Sequence, residues 1–112
     1  MKGDALKGHL DLLVLAIVAP GPVHGYAVID SLRERSGGLF DLPEGTVYPV
    51  LHRLEKAGLL SSEWAIVGGR RRRTYCLTHD GRKSLVDMRT GWQRFADAIG
   101  STLKGAPWPA TS

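Results

Sequence analysis

Apolar residues recur at helical spacing from the start of the chain: Leu6, Leu10, Leu13, Val14 and Ile17. That period predicts a first helix over residues 4–19. Leu12, Leu15 and Val18 fall elsewhere on the wheel, so apolar groups nearly encircle its second half. Such a helix is buried on more than one side, and in so short a chain a partner subunit is expected on the second. Pro20-Gly21-Pro22 ends it. A second helix is expected over 24–36, with Tyr26, Val28, Ile29 and Leu32 as its buried stripe, His24 as a cap or turn residue and Gly37-Gly38 as the stop. After the connector Leu39–Pro43, the spacing of Val47, Val50, Leu51 and Leu54 predicts a third helix over about 44–57, closed by Gly58.

The pattern then changes. Leu60–Val67 and Arg71–Thr78 read as two strands around Gly68-Gly69, a β-hairpin. Tyr75 and Leu77 fall on one face, Thr74 and Cys76 on the other; Trp64 is expected to pack on the core. A last helix, capped by Thr78 or His79, is predicted to about Leu103. In it Leu85, Met88, Trp92, Phe95 and Ile99 repeat at three, four, three, four. That is a heptad seam and implies a helix-to-helix contact. The fold class is therefore mainly α with a small β-hairpin: a winged helix-turn-helix domain plus a long C-terminal dimerisation helix. Its divisions are the winged helix-turn-helix domain, 1–78, the C-terminal dimerisation helix, 79–104, and a tail, 105–112, expected to be disordered with Trp108 exposed.

The third helix carries the candidate chemistry. Its polar face offers Thr46, Tyr48, His52, Arg53 and Lys56. A duplex major groove admits a helix whose N-terminal side chains meet base edges. Thr46 suits a thymine methyl or a phosphate, Tyr48 a phosphate, His52 and Arg53 bases or backbone, and Lys56 a phosphate. Pro49 would cost about 3 kcal/mol in a helix interior. The regular helix is therefore expected to start late, near Thr46, or to have a distorted first turn. Glu44 suits the dipole at the helix start. In the hairpin, Arg70, Arg71, Arg72 and Arg73 are consecutive and no acidic residue lies between Trp64 and Thr78. Uncompensated arginines repel one another unless an anion is expected, and a phosphate backbone is such an anion.

Composition adds limits. The chain has 112 residues and a formal net charge of +4, a modest excess whose placement matters more than its sum. Its single cysteine, Cys76, fits a reducing cytoplasm. The apolar run Leu12–Ala19 is far short of the roughly 20 residues a membrane span needs, and Asp4 and Asp11 break a signal-peptide pattern. The histidines are scattered without HxxxH or CxxC spacing, so no metal site is expected. No phosphate loop, nucleophile elbow or placed carboxylate pair points to catalysis, and no cofactor is implied.

Three segments carry a resemblance: HGY at His24–Tyr26, GTVYPVLHRLEKAGLL at Gly45–Leu60 and RRTYCLTHDGR at Arg72–Arg82. Together, over about residues 6–103, the chain resembles the PadR family of bacterial transcriptional regulators, in its short subgroup with one C-terminal helix. Val47 and Val50 stand where that family often has Leu and Ala. The resemblance implies a winged-helix homodimer, usually a repressor, on an inverted-repeat operator. It assigns recognition to Thr46, Tyr48, Pro49, His52 and Arg53 and the wing to Gly69–Arg73, with the last and first helices forming the dimer interface. It also implies that some short members hold small, flat aromatic or drug-like inducers between tryptophans there. Trp92 has two readings, plain interface core or the wall of a pocket lined also by Phe95, Leu10 and Val14; Gly91 beside it leaves room. A rival function remains, a winged-helix interaction module whose arginines meet an acidic protein.

Overall fold

The computed structural model of the protein describes Leu6 and residues 8–110. In chain order it contains α1 (Leu10–Val18), β1 (Val23–His24), α2 (Gly25–Arg35), α3 (Glu44–Lys56), β2 (Leu60–Val67), β3 (Arg70–Leu77) and α4 (His79–Lys104). The strands form one antiparallel sheet in the order β1-β3-β2. Three helices stacked on a hairpin make a winged helix, and α4 leaves it as a long arm.

The predicted first helix is interrupted by a turn before its main segment. Leu6 is helical, a turn follows at Gly8–His9, and α1 begins at Leu10, where His9 gives no side-chain cap. Asp4, Ala5 and Lys7 of the predicted helix lie outside the described residues. Leu10, Val14, Leu15, Ile17 and Val18 are buried with Val28, Ile29, Leu32, Val47, Leu51, Leu54 and Leu60 in one core. Burying side chains of this size is the main favourable term, about 1.5–3 kcal/mol each.

Three local devices fix the register. The N–H of Ala27 donates to His24 Nδ1 at 3.3 Å, so His24 caps α2. The same residue lies in β1, a two-residue strand absent from the sequence reading, which pairs Val23 with Tyr75 and His24 with Thr74. Thr78 joins the hairpin to α4: its hydroxyl accepts from Gly81 N–H at 3.0 Å and donates to the Gly58 carbonyl at 2.6 Å. A Cβ on Gly81 would stand 2.0 Å from the Leu59 carbonyl oxygen, so only glycine allows α4 to start so close to the α3–β2 loop.

The hairpin turn has Gly68 at φ 59° and Gly69 at φ 77°, the two positive values a two-residue type I′ turn needs. β3 therefore begins at Arg70, one residue earlier than predicted, and Thr78 is outside the strand. Paired residues share a face. Leu60, Ser62, Trp64 and Ile66 lie with Leu77, Tyr75, Arg73 and Arg71. The core covers only the base of that face. Trp64 and Ile66 lie beyond its edge, 54% and 73% exposed, which corrects the expectation that Trp64 packs on the core.

α4 rises about 39 Å at the usual 1.5 Å per residue, and it stretches the molecule to 56 Å along its longest axis. Residues 106–110 have no regular structure and are exposed, Trp108 among them; the rest of the tail lies outside the described residues. Among the described residues no helix is long and apolar enough to cross a membrane.

Candidate nucleic-acid interface

α3 starts at Glu44, not late. Pro43 precedes it in extended conformation, and its carbonyl accepts from both Thr46 and Val47 N–H. Pro49 thus sits in the second turn, where its ring and missing N–H fall opposite the carbonyl of Gly45. Both residues are exposed, so the carbonyl that loses the Pro49 N–H lies on the solvent side of the helix.

The buried stripe of α3 is Val47, Val50, Leu51 and Leu54. At 3.6 residues per turn, the stripe opposite is Gly45, Pro49, His52 and Lys56, and all four are exposed. Its first two positions are small or donor-free and let a partner approach; the last two carry an imidazole and an ammonium. Thr46 and Arg53 flank this stripe on the α1 side. Tyr48 and Glu55 flank it on the hairpin side.

Arg53 is engaged within the molecule. Its guanidinium donates two bonds to the Asp11 carboxylate of α1, at 3.0 and 2.5 Å. That fork geometry holds Arg53 still more firmly protonated than usual, through the hydrogen bond and the charge of Asp11. Tyr48 is half-buried and packs over Gly25, where an added Cβ would stand 2.6 Å from its ring. The HGY segment thereby gains a physical meaning: His24 caps the helix, Gly25 admits Tyr48, and Tyr26 meets Tyr48 edge-on at 6.1 Å.

Tyr26 is 46% exposed, which corrects its placement in the buried stripe. The Glu44 carboxylate, as an acceptor for its hydroxyl and through its charge, raises the phenol above its ordinary value of 10.0. Burial does the same for Tyr48, with Glu44 adding to it and Arg72 opposing. Arg72 stands 5.7 Å over the Tyr26 ring, and His52 lies 6.4 Å from Tyr48. Arg72, Tyr26, Tyr48 and His52 therefore form a continuous ridge from the wing to α3.

The other wing face is tied to the end of α3. Arg73 Nε–H donates to Ser62 Oγ at 2.8 Å, Ser62 donates to Glu55 at 2.5 Å, and Arg73 lies 3.8 Å from the same carboxylate. Among the described residues Arg70, Arg71, Arg72 and Lys56 make no ion pair. A cationic tip without carboxylates suits an anionic partner. Gly69 lies in the turn beside it, exposed. The sequence missed Tyr26 and Trp64 as surface aromatics; an apolar ring on a periodic position reads as core until the edge of the core is known.

The predicted seam of α4 divides in two. Leu85 and Met88 pack on the core. Trp92, Phe95, Ile99 and Leu103 are 43–64% exposed. His9 stands 5.4 Å from the Trp92 ring and 6.4 Å from Phe95. Beside these rings lie two open concavities. One is about 380 Å³, walled by Leu6, Leu12, Leu13 and Ile99 as well as His9, Trp92 and Phe95. The other, about 270 Å³, includes Asp11, Met88 and Gly91. Trp92 and Phe95 are thus brought together as expected. Leu10 and Val14 are not part of the lining: they are buried in the core, 6% and 0% exposed, and His9, Leu12 and Leu13 take their place. No cluster of three His, Cys, Asp or Glu that could hold a metal occurs among the described residues.

A winged helix with Arg70–Arg72 unpaired among the described residues, at the wing tip and beside an exposed helix face, has the charge placement that suits an anionic partner. The comparisons narrow the class: the sequence model of the transcriptional regulator PadR-like family matches residues 14–87, and the chain belongs to that family. It is 41% identical over 93 residues to transcriptional regulator Rv3488 of Mycobacterium tuberculosis, covering 83% of this chain and 84% of that one. A PadR family transcriptional regulator from Eggerthella lenta is similar with a TM-score of 0.77 and 33% identity, over 89% of this chain and 86% of that one. A PadR-like transcriptional regulator from Bacillus cereus gives a TM-score of 0.81 at 25% identity, over 90% and 97%. The chain is a transcriptional regulator, and DNA binding follows from its family.

Proposed function

We propose that the protein is a homodimeric repressor of a bacterial cytoplasm that reads an inverted-repeat operator, with a small hydrophobic or aromatic inducer held at the dimer interface. The observation that carries the DNA contact is the ridge Arg72–Tyr26–Tyr48–His52, which joins wing and third helix into one surface. His52 and Thr46 read bases, while Gly45 and Pro49 let the helix backbone approach them. Lys56 and Arg70–Arg72 hold phosphates. Arg53 braces α3 against α1 through Asp11 and is the least free of the sequence candidates to leave for DNA.

Residues 79–104 supply dimerisation in this reading. A second copy covers Trp92, Phe95, Ile99 and Leu103, since an apolar row this open is unfavourable in water. Two recognition helices then lie about 34–36 Å apart, or a multiple, on one DNA face. An inducer between the copies relieves repression only if it binds one spacing better than the other. The lining by Trp92, Phe95 and His9 supports a flat aromatic compound.

Graded substitutions test the interface. Arg71→Ala or Arg72→Ala weakens binding to operator and random duplex alike and lowers the salt slope by about 0.9 per phosphate lost. His52→Ala or Thr46→Ala costs about 1–3 kcal/mol more on the operator than on random DNA. Equal losses on both duplexes for the helix variants would show that α3 does not read sequence.

A further inference from the structure

We infer that Trp64 is a positioning residue for DNA binding: its exposed indole holds the Arg71 guanidinium in place for a phosphate. The Arg71 Cζ lies 4.6 Å from the Trp64 ring centroid, and Arg73 Cζ lies 5.4 Å from the same ring. The two cations differ. Arg73 is anchored by Ser62 and partly neutralised by Glu55. Among the described residues Arg71 has no carboxylate. A guanidinium stacked on a ring uses its flat face, so its in-plane N–H groups stay free to donate outward. An arginine near a two-residue turn otherwise samples many rotamers, and ordering it on binding would weaken the contact.

Trp64 is 54% exposed and lies beyond the edge of the core. Its placement is therefore not explained by burial, whereas cation–π contact with two guanidinia accounts for it. Two like charges over one ring repel, and a phosphate arriving at Arg71 relieves that repulsion. Neighbouring Ile66 is also exposed, but the cations over the indole favour an anionic polymer over an apolar protein surface.

The inference rests on the wing's DNA contact proposed above, and one experiment separates the two. The full chain is titrated with a mixed-sequence duplex at several salt concentrations, so no operator is needed. Circular dichroism and the thermal midpoint confirm that each variant is folded. Trp64→Leu is expected to weaken binding about two- to fivefold, the equivalent of an exposed cation–π contact, and to shift the salt slope toward that of Arg71→Ala. Trp64→Phe, which keeps a ring, restores most of the loss. In an Arg71→Ala background, Trp64→Leu costs nothing further. If Arg71→Ala lowers the slope but Trp64→Leu does not, the positioning role is wrong and the wing contact stands. An equal loss from Trp64→Leu without Arg71 would mean that the indole touches its partner directly, which also overturns the inference. If Arg71→Ala has no effect, the positioning role falls; if Arg70→Ala and Arg72→Ala are silent as well, the wing contact falls with it.

Discussion

At the residue scale, contacts rather than residue types decide what each side chain does. Gly25 is the clearest case, because the Tyr48 ring occupies the space a Cβ would fill. Gly25→Ala must displace Tyr48, and overpacking of this kind costs about 1–3 kcal/mol. Urea unfolding is expected to show that loss, with DNA affinity falling alongside it; unchanged stability would contradict the packing. The phenols give a pH signature. Tyr26 and Tyr48 are held above 10.0 in the folded state, so the neutral form is favoured there. Stability tied to them is fully present below pH 10, the unfolded value, and is lost as pH rises through the higher folded values. Tyr48→Phe should flatten the fall in urea midpoint between pH 9 and pH 11, relative to the parent. Little of this was legible in the sequence. Tyr26 shares the period of Ile29 and Leu32, and periodicity does not reveal that its ring lies outside the core. Arg53 reads as a free cation because its partner, Asp11, is 42 residues away.

At the scale of elements, pattern reading did better. All three helices of the domain, the hairpin and the long last helix follow from apolar spacing and from glycine and proline stops, because those signals are local. β1 did not, since two residues carry no period and its pairing depends on β3. The α4 seam was found but not its division: sequence spacing cannot tell that Leu85 and Met88 meet the protein's own core while the row from Trp92 does not. In the proposed homodimer the second half of the seam is the contact surface. Ile99→Asp, well away from the core, is expected to yield a folded species with the mass of one chain by light scattering, against twice that for the parent. A parent with the mass of one chain would remove the homodimer from the account.

At the scale of the whole molecule, α1 connects the two working ends. Its Asp11 holds Arg53 of α3 and also lines one of the concavities beside Trp92. The hairpin and α3 are joined twice, through Tyr26–Tyr48 and through Glu55–Ser62–Arg73. On the proposed reading, wing and α3 meet a duplex as one joined surface and α3 reads its sequence. The most direct measurement of this claim is a mobility shift near physiological salt. It compares the DNA just upstream of the protein's own gene with a scrambled duplex of equal length. A preference of about a thousandfold or more, the range of specific recognition, is the predicted result. Equal weak binding to both duplexes, and to a wider set of genomic fragments, would contradict sequence reading by α3 and favour an acidic protein as the partner of its exposed face.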